Sequence, residues 1–177
     1  MKYLIMCEGP NELEVVNILL ENDCFLFTRD DLLGLVPYHS RQIKGSGQVQ
    51  TALNMYPGEV VVLRVGDKLS DKLQIPKEYQ EKIISVNKYC TKPELEMLLI
   101  ISENMTSEFE KVKSKKKAKT FAKENIKCGR KSYKKETAFY CENYGNNISL
   151  LVDSIKKYRQ HHGGHKKDEH YLAELLK

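Results

Sequence analysis

The sequence predicts an α/β fold: a small, mainly parallel sheet flanked by helices, with a helical, lysine-rich C-terminal extension. Two mainly apolar runs, 3–7 and 59–65, are too short for helices, and the second is valine-rich from Val60 on, interrupted near its end by Arg64. That is how a strand covered on both faces reads. Segments of helical periodicity, 13–20 and 48–55, separate the runs. Each run also ends beside a glycine and an acid, Glu8-Gly9 and Gly66-Asp67. Carboxyl ends of parallel strands are where such sheets meet their ligands.

The first strand runs into the turn Gly9-Pro10 and a helix with Leu13, Val15, Val16, Ile18, Leu19 and Leu20 on a broad apolar face. Glu12 falls in its first turn, where a carboxylate suits the positive end of the helix dipole. That account does not cover Glu8. Residues 24–27 pack between elements, and Asp30-Asp31 reads as a capped turn, with a metal-facing role as the alternative. Residues 35–43 are the expected second strand and its exit. Lys44-Gly45-Ser46-Gly47 then opens the second helix, and a glycine turn at a helix start offers N–H groups to an anion. Arg41 and Lys44 beside it fit a phosphate contact, or simply exposed basic residues. After the third strand, 82–86 form a fourth. Thr91 is the expected N-cap of a helix through 97–101, with Pro93 in its first turn and Glu94 and Glu96 at its start.

The chain has 177 residues, 41% hydrophobic and 30% charged, which excludes a disordered polyelectrolyte and fits a soluble globular protein. It contains no apolar run of about 18 residues, and its apolar start is too soon acidic for a signal peptide, so a cytoplasmic location without membrane contact is expected. The five cysteines lack metal-ligand spacing, and an odd number without a secretory signal argues for reduced thiols. The net charge of +5 hides an asymmetry: twelve lysines and arginines between Lys111 and Lys135 face the single acid Glu124. An acidic body with a basic appendage suits an enzyme acting on a polyanion, and a solvated lysine-rich helix is the plain alternative.

Residues 1–102 are read as the catalytic domain and 103–177 as the extension packed on or beside it. Lys115, Lys116 and Lys117 are its candidate nucleic-acid contacts, and the rings of Phe121, Tyr133, Phe139, Tyr140 and Tyr144 offer base stacking or core packing. His161-His162-Gly163-Gly164-His165 reads as a mobile turn between helices, with zinc as the weaker option. Residues 166–176 are expected to close the chain as an amphipathic helix, with Lys166 and Lys167 near a substrate phosphate.

The strand followed by Glu8-Gly9-x-x-Glu12 resembles the first motif of Toprim domains, the magnesium-dependent module of primases, topoisomerases and overcoming-lysogenization-defect (OLD) nucleases. Gly66-Asp67 ends a later strand about where Toprim domains place an Asp-x-Asp motif. Here Arg64-Val65-Gly66-Asp67 departs from it: no aspartate stands two residues before Asp67, and the next acid is Asp71. Pro93-Glu94-x-Glu96 is similar to a late acidic element of OLD-like phage-defence proteins. The resemblance covers roughly residues 1–102. It implies Mg²⁺ or Mn²⁺ held by Glu8, Asp67, Asp71 and Glu96, with Glu8, Glu12 and Asp67 as the catalytic acids. The number of metals stays open because of the departure. The implied activity is hydrolysis of DNA or RNA phosphodiesters, in a defence effector controlled by a partner ATPase and compatible with an oligomer. The alternative is a non-catalytic module that binds nucleic acid or a partner. A P-loop nucleotide site is disfavoured, since its Gly-x4-Gly-Lys-Ser/Thr motif is missing.

Overall fold

The computed structural model describes residues 1–134, 136–161 and 164–177. Strand β1 (Lys2–Cys7) leads through helix α1 (Pro10–Glu21) to the two-residue strand β2 (Tyr38–His39). Helix α2 (Gly47–Met55) then crosses to β3 (Val60–Gly66), which is followed by β4 (Ile83–Cys90). Beyond them come α3 (Met97–Ser102), α4 (Thr106–Val112), α5 (Ala118–Asn125), the hairpin β5 (Lys127–Cys128) and β6 (Lys131–Ser132), α6 (Thr137–Tyr144), α7 (Ile148–His161) and β7 (Glu169–His170). Among the described residues no helix is long and apolar enough to cross a membrane.

The main sheet is parallel throughout, in the order β2-β1-β3-β4-β7. This is the expected α/β architecture, a parallel sheet flanked by helices. The chain steps outward from β1 to β2 and then back past β1 to β3. Right-handed crossovers in opposite directions place their helices on opposite faces. The core follows that geometry. Ile5, Cys7, Val61, Leu63 and Val65 pack with α1, α3, α5, α6 and α7, whereas Leu4, Met6, Val60 and Val62 pack with Val49 and Leu53 of α2. Alternation along each strand divides the side chains between the two faces. The core under α1 runs on without a break through residues beyond 102, as far as Leu176.

Three local expectations differ from the structure. The second strand is only Tyr38–His39, because the preceding residues fold into a 3-10 turn with Gly34 and Leu35 at positive φ. Thr91 does not cap α3: its N–H donates to the Gly66 carbonyl at 3.0 Å, continuing the strand pairing, and the helix begins after Glu96. Residues 166–176 are not an amphipathic helix but β7 followed by a 3-10 turn, since the outer edge of β4 takes up Glu169 and His170. Of the two readings of the five rings interleaved with lysines, Phe121, Tyr133, Phe139, Tyr140 and Tyr144, core packing is the one observed, since all are buried and none is a stacking platform. Thr28 and Asp31 form a capping box, as the capped-turn reading of that acid pair requires. His162 and Gly163 of the histidine-glycine turn lie outside the described residues. His165 stacks on Tyr171 with ring centroids 3.9 Å apart.

Candidate carboxylate site

The strand order reverses between β1 and β3, and a crevice opens there at the carboxyl edge of such sheets. Cys7 pairs with Val65 and Gly66 with Cys90, so the strands end almost level. Glu8 leaves β1 at that edge, Asp67 leaves β3, and the β4–α3 loop brings Glu94 and Glu96. Together with Asn11 and Glu12 from the first turn of α1 they line one cavity of about 150 Å³. Arg41 and Lys119 complete its rim.

Each acid is held differently. Glu8 Oε2 accepts the Asp67 backbone N–H at 3.2 Å, and its Oε1 lies 3.5 Å from the Arg41 guanidinium. Glu12 is 8% exposed and its carboxylate lies over Gly9, where an added Cβ would stand 2.6 Å from Oε2. The glycine of the opening motif therefore makes room for its second glutamate. Glu96 is buried and accepts a hydrogen bond from the Tyr133 hydroxyl at 2.7 Å. Burial, reinforced by the Glu96 charge, pushes the Tyr133 phenol well up, so it stays a donor at any working pH. Glu94 accepts the Lys119 N–H at 2.8 Å, which ties the loop to α5.

Asp67 is the exception. Burial, then the charges of Glu12 and Glu96, push its carboxyl up to about 8, despite a hydrogen bond from the Leu95 backbone. Among the described residues its Oδ1 is buried without a hydrogen-bond partner, and so is Oδ1 of Asn11 in the same cavity. Buried polar oxygens are rarely left so. Crowded oxygen donors with unspent acceptor capacity suit a hard divalent cation such as Mg²⁺. Among the described residues no group of three or more His, Cys, Asp or Glu is already arranged to hold a metal ion. The acids surround the cavity rather than closing on one point.

Of the residues singled out in the sequence, Glu8, Glu12, Asp67, Glu96 and Arg41 meet at this cavity. Asp71 does not. Arg64 shares strand parity with Val60 and Val62, so its side chain enters the α2 face, where it bonds Asp71 Oδ2 at 3.0 Å and the Asp71 carbonyl at 2.7 Å. Lys44 is exposed and lines none of this cavity. Lys116 and Lys117 border a neighbouring groove that Lys115 does not line, and Lys166 borders a notch with Lys68 and Lys92 that Lys167 does not. Asn11 and Lys119 have no part in the sequence-based site, and Tyr133 enters there only as a ring, without its bond to Glu96. Asn11 lies inside the motif but carries no charge, and Lys119 is lost in a run of lysines.

Gly66 fixes the approach of the two strand ends. A Cβ there would stand 2.5 Å from Glu8 Oε2 and 2.8 Å from Glu8 Cβ and Leu69 Cδ2. Gly66→Ala is therefore expected to displace the Glu8 carboxylate and to cost about 1–3 kcal/mol of stability, read by urea unfolding. A variant as stable as wild type, with an unmoved Glu8, would show that the strand ends have slack.

Comparison with protein-family models, with curated proteins and with solved structures gives no match. The fold and cavity define a class all the same: a doubly wound α/β protein with a carboxylate-lined crevice where the strand order reverses.

Proposed function

We propose that the protein is a divalent-metal-dependent nuclease that hydrolyses phosphodiester bonds of DNA or RNA at the Glu8–Asp67 crevice. The observation that carries this is the buried Asp67 Oδ1, without a hydrogen-bond partner among the described residues, in the company of Glu8, Glu12 and Glu96. Glu8, Asp67 and Glu96 are the residues that would hold Mg²⁺ or Mn²⁺, with Glu12 adding charge beneath them. When bound, the cation supplies Lewis-acid polarisation of the phosphodiester and lowers the pKa of a bound water. The chain's own residues do the rest. Arg41 and Lys119 on the rim orient the phosphate by charge-assisted hydrogen bonds. Glu8, at the mouth of the crevice, accepts a proton from the attacking water. Tyr133 keeps Glu96 in place from below. The resemblance adds a partner ATPase, and the setting we propose for the pair is the cytoplasm.

One observation favours the alternative of a binding module without cleavage: Asp71 is committed to Arg64, leaving β3 with a single acid at the crevice. The test separates the two. Mn²⁺ titrated into the protein should bind, and Glu8→Gln should lower the Mn²⁺-dependent cleavage of a labelled oligonucleotide by about 100-fold or more while the variant stays folded. Mn²⁺ binding with no cleavage by wild type selects the binding module. No Mn²⁺ binding removes the metal reading altogether.

A further inference from the structure

Beside the carboxylate crevice lies a groove of about 380 Å³ that the proposed chemistry does not use. Glu94 is the wall the two share. The groove's floor is apolar, made by the exposed ring of Pro93 with Met97 and Phe109 beneath it, and its rim carries Lys68, Lys113, Lys116 and Lys117. Two of these charges are already matched: Lys113 pairs with Glu110 and Lys116 with Glu124, each at 2.5 Å. Among the described residues Lys68 and Lys117 have no ion-pair partner, and they belong to different parts of the chain. Lys68 follows Asp67 directly, while Lys117 precedes α5, whose next-but-one residue Lys119 reaches the crevice.

We propose that this groove takes one nucleotide of a single strand, its base on the apolar floor and its flanking phosphates on Lys68 and Lys117. The volume lies in the range of small-ligand pockets, roughly 300–1,000 Å³. An apolar floor under unmatched cations is complementary to a flat base joined to phosphates. A duplex, with its bases stacked inside, reaches only the lysine rim. Single strands can splay a base out into such a groove. The shared Glu94 wall places that nucleotide next to the one whose phosphate enters the crevice. This assignment rests on the nuclease reading for the identity of the polyanion, but occupancy of the groove does not depend on cleavage.

The test is therefore a binding measurement in EDTA, where no cation fills the crevice. Fluorescence anisotropy compares a labelled single-stranded 12-mer with an abasic sugar-phosphate 12-mer of the same length and charge. The natural strand should bind roughly fivefold more tightly, the effect of burying about 40 Å² of apolar surface. The double variant Lys68→Gln/Lys117→Gln should lose affinity and flatten the log–log salt slope by about 1.4, since each phosphate contact on a single strand contributes about 0.7. Equal affinity for the two 12-mers overturns the base site. An unchanged salt slope in the double variant places the strand elsewhere. No binding of either 12-mer also overturns the assignment, whereas the nuclease reading is decided separately by Mn²⁺ binding and Glu8→Gln.

Discussion

Asp67→Asn is expected to abolish cleavage and yet, in EDTA at pH 8, to give a protein more stable than wild type. The Asp67 carboxyl is raised from the usual 3.8 to about 8, by burial first and then by Glu12 and Glu96. Between those values the folded chain holds a proton that the unfolded chain has released. Stability therefore declines as pH rises, at up to about 1.4 kcal/mol per pH unit for one group. The contribution is complete below about pH 4, shrinks through the neutral range and levels off above pH 8. Water at the mouth of the crevice screens part of it, so a difference of about 2–4 kcal/mol between pH 5 and pH 8 is expected. Asparagine has no such proton, and the decline should vanish in the variant. Mg²⁺ should restore the stability of wild type at pH 8 and leave the variant nearly unchanged. Urea unfolding curves that shift with pH in parallel for the two proteins would show that Asp67 is an ordinary solvated carboxylate.

The unequal legibility of the sequence has physical causes. β1 and β3 were legible because strands buried on both faces need continuous apolar side chains, and Val60–Gly66 has them apart from Arg64. The meeting of Glu8 with Asp67 followed from the two strand ends alone, since adjacent parallel strands in register finish together. β7 was not legible. Glu169-His170 owes its strand to the open edge of β4 and to the salt bridge between Lys92 and Glu169, both of them tertiary. The lysine-rich stretch left two readings open for a similar reason. Its rings and lysines alternate as in a nucleic-acid platform, but they also fit an amphipathic helical layer, and Tyr140 and Tyr144 are fully buried. Tyr133 shows the limit most clearly: its role is a bond to Glu96, thirty-seven residues away in the chain.

Asp71 offers the second large effect, because its bond to Arg64 and a metal role make opposite predictions. The Arg64 side chain is 2% exposed and Asp71 44%. Burial opposes the charge on Asp71, but the Arg64 guanidinium and its hydrogen bond prevail and hold the carboxyl below the usual range. That stabilisation is present above the ordinary carboxylate pKa and is lost only as pH falls through the lowered one. Asp71→Ala removes the carboxylate at neutral pH and leaves the Arg64 charge buried with, among the described residues, the carbonyls of residue 71 and Arg41 as its acceptors. Breaking a fully buried pair costs about 3–5 kcal/mol; the exposure of Asp71 lowers the expectation to about 2–3 kcal/mol. Arg64→Met should cost less, since it leaves a carboxylate that water can reach and fills the site with apolar volume. Mn²⁺ affinity, by contrast, should stay within about twofold in Asp71→Ala, because the residue is no part of the crevice. The reverse pattern, unchanged stability with Mn²⁺ affinity lost, would make Asp71 a ligand that leaves Arg64 when metal binds. It would also give Asp67 the second acidic partner that the chain, with Val65 two residues earlier, does not supply from β3.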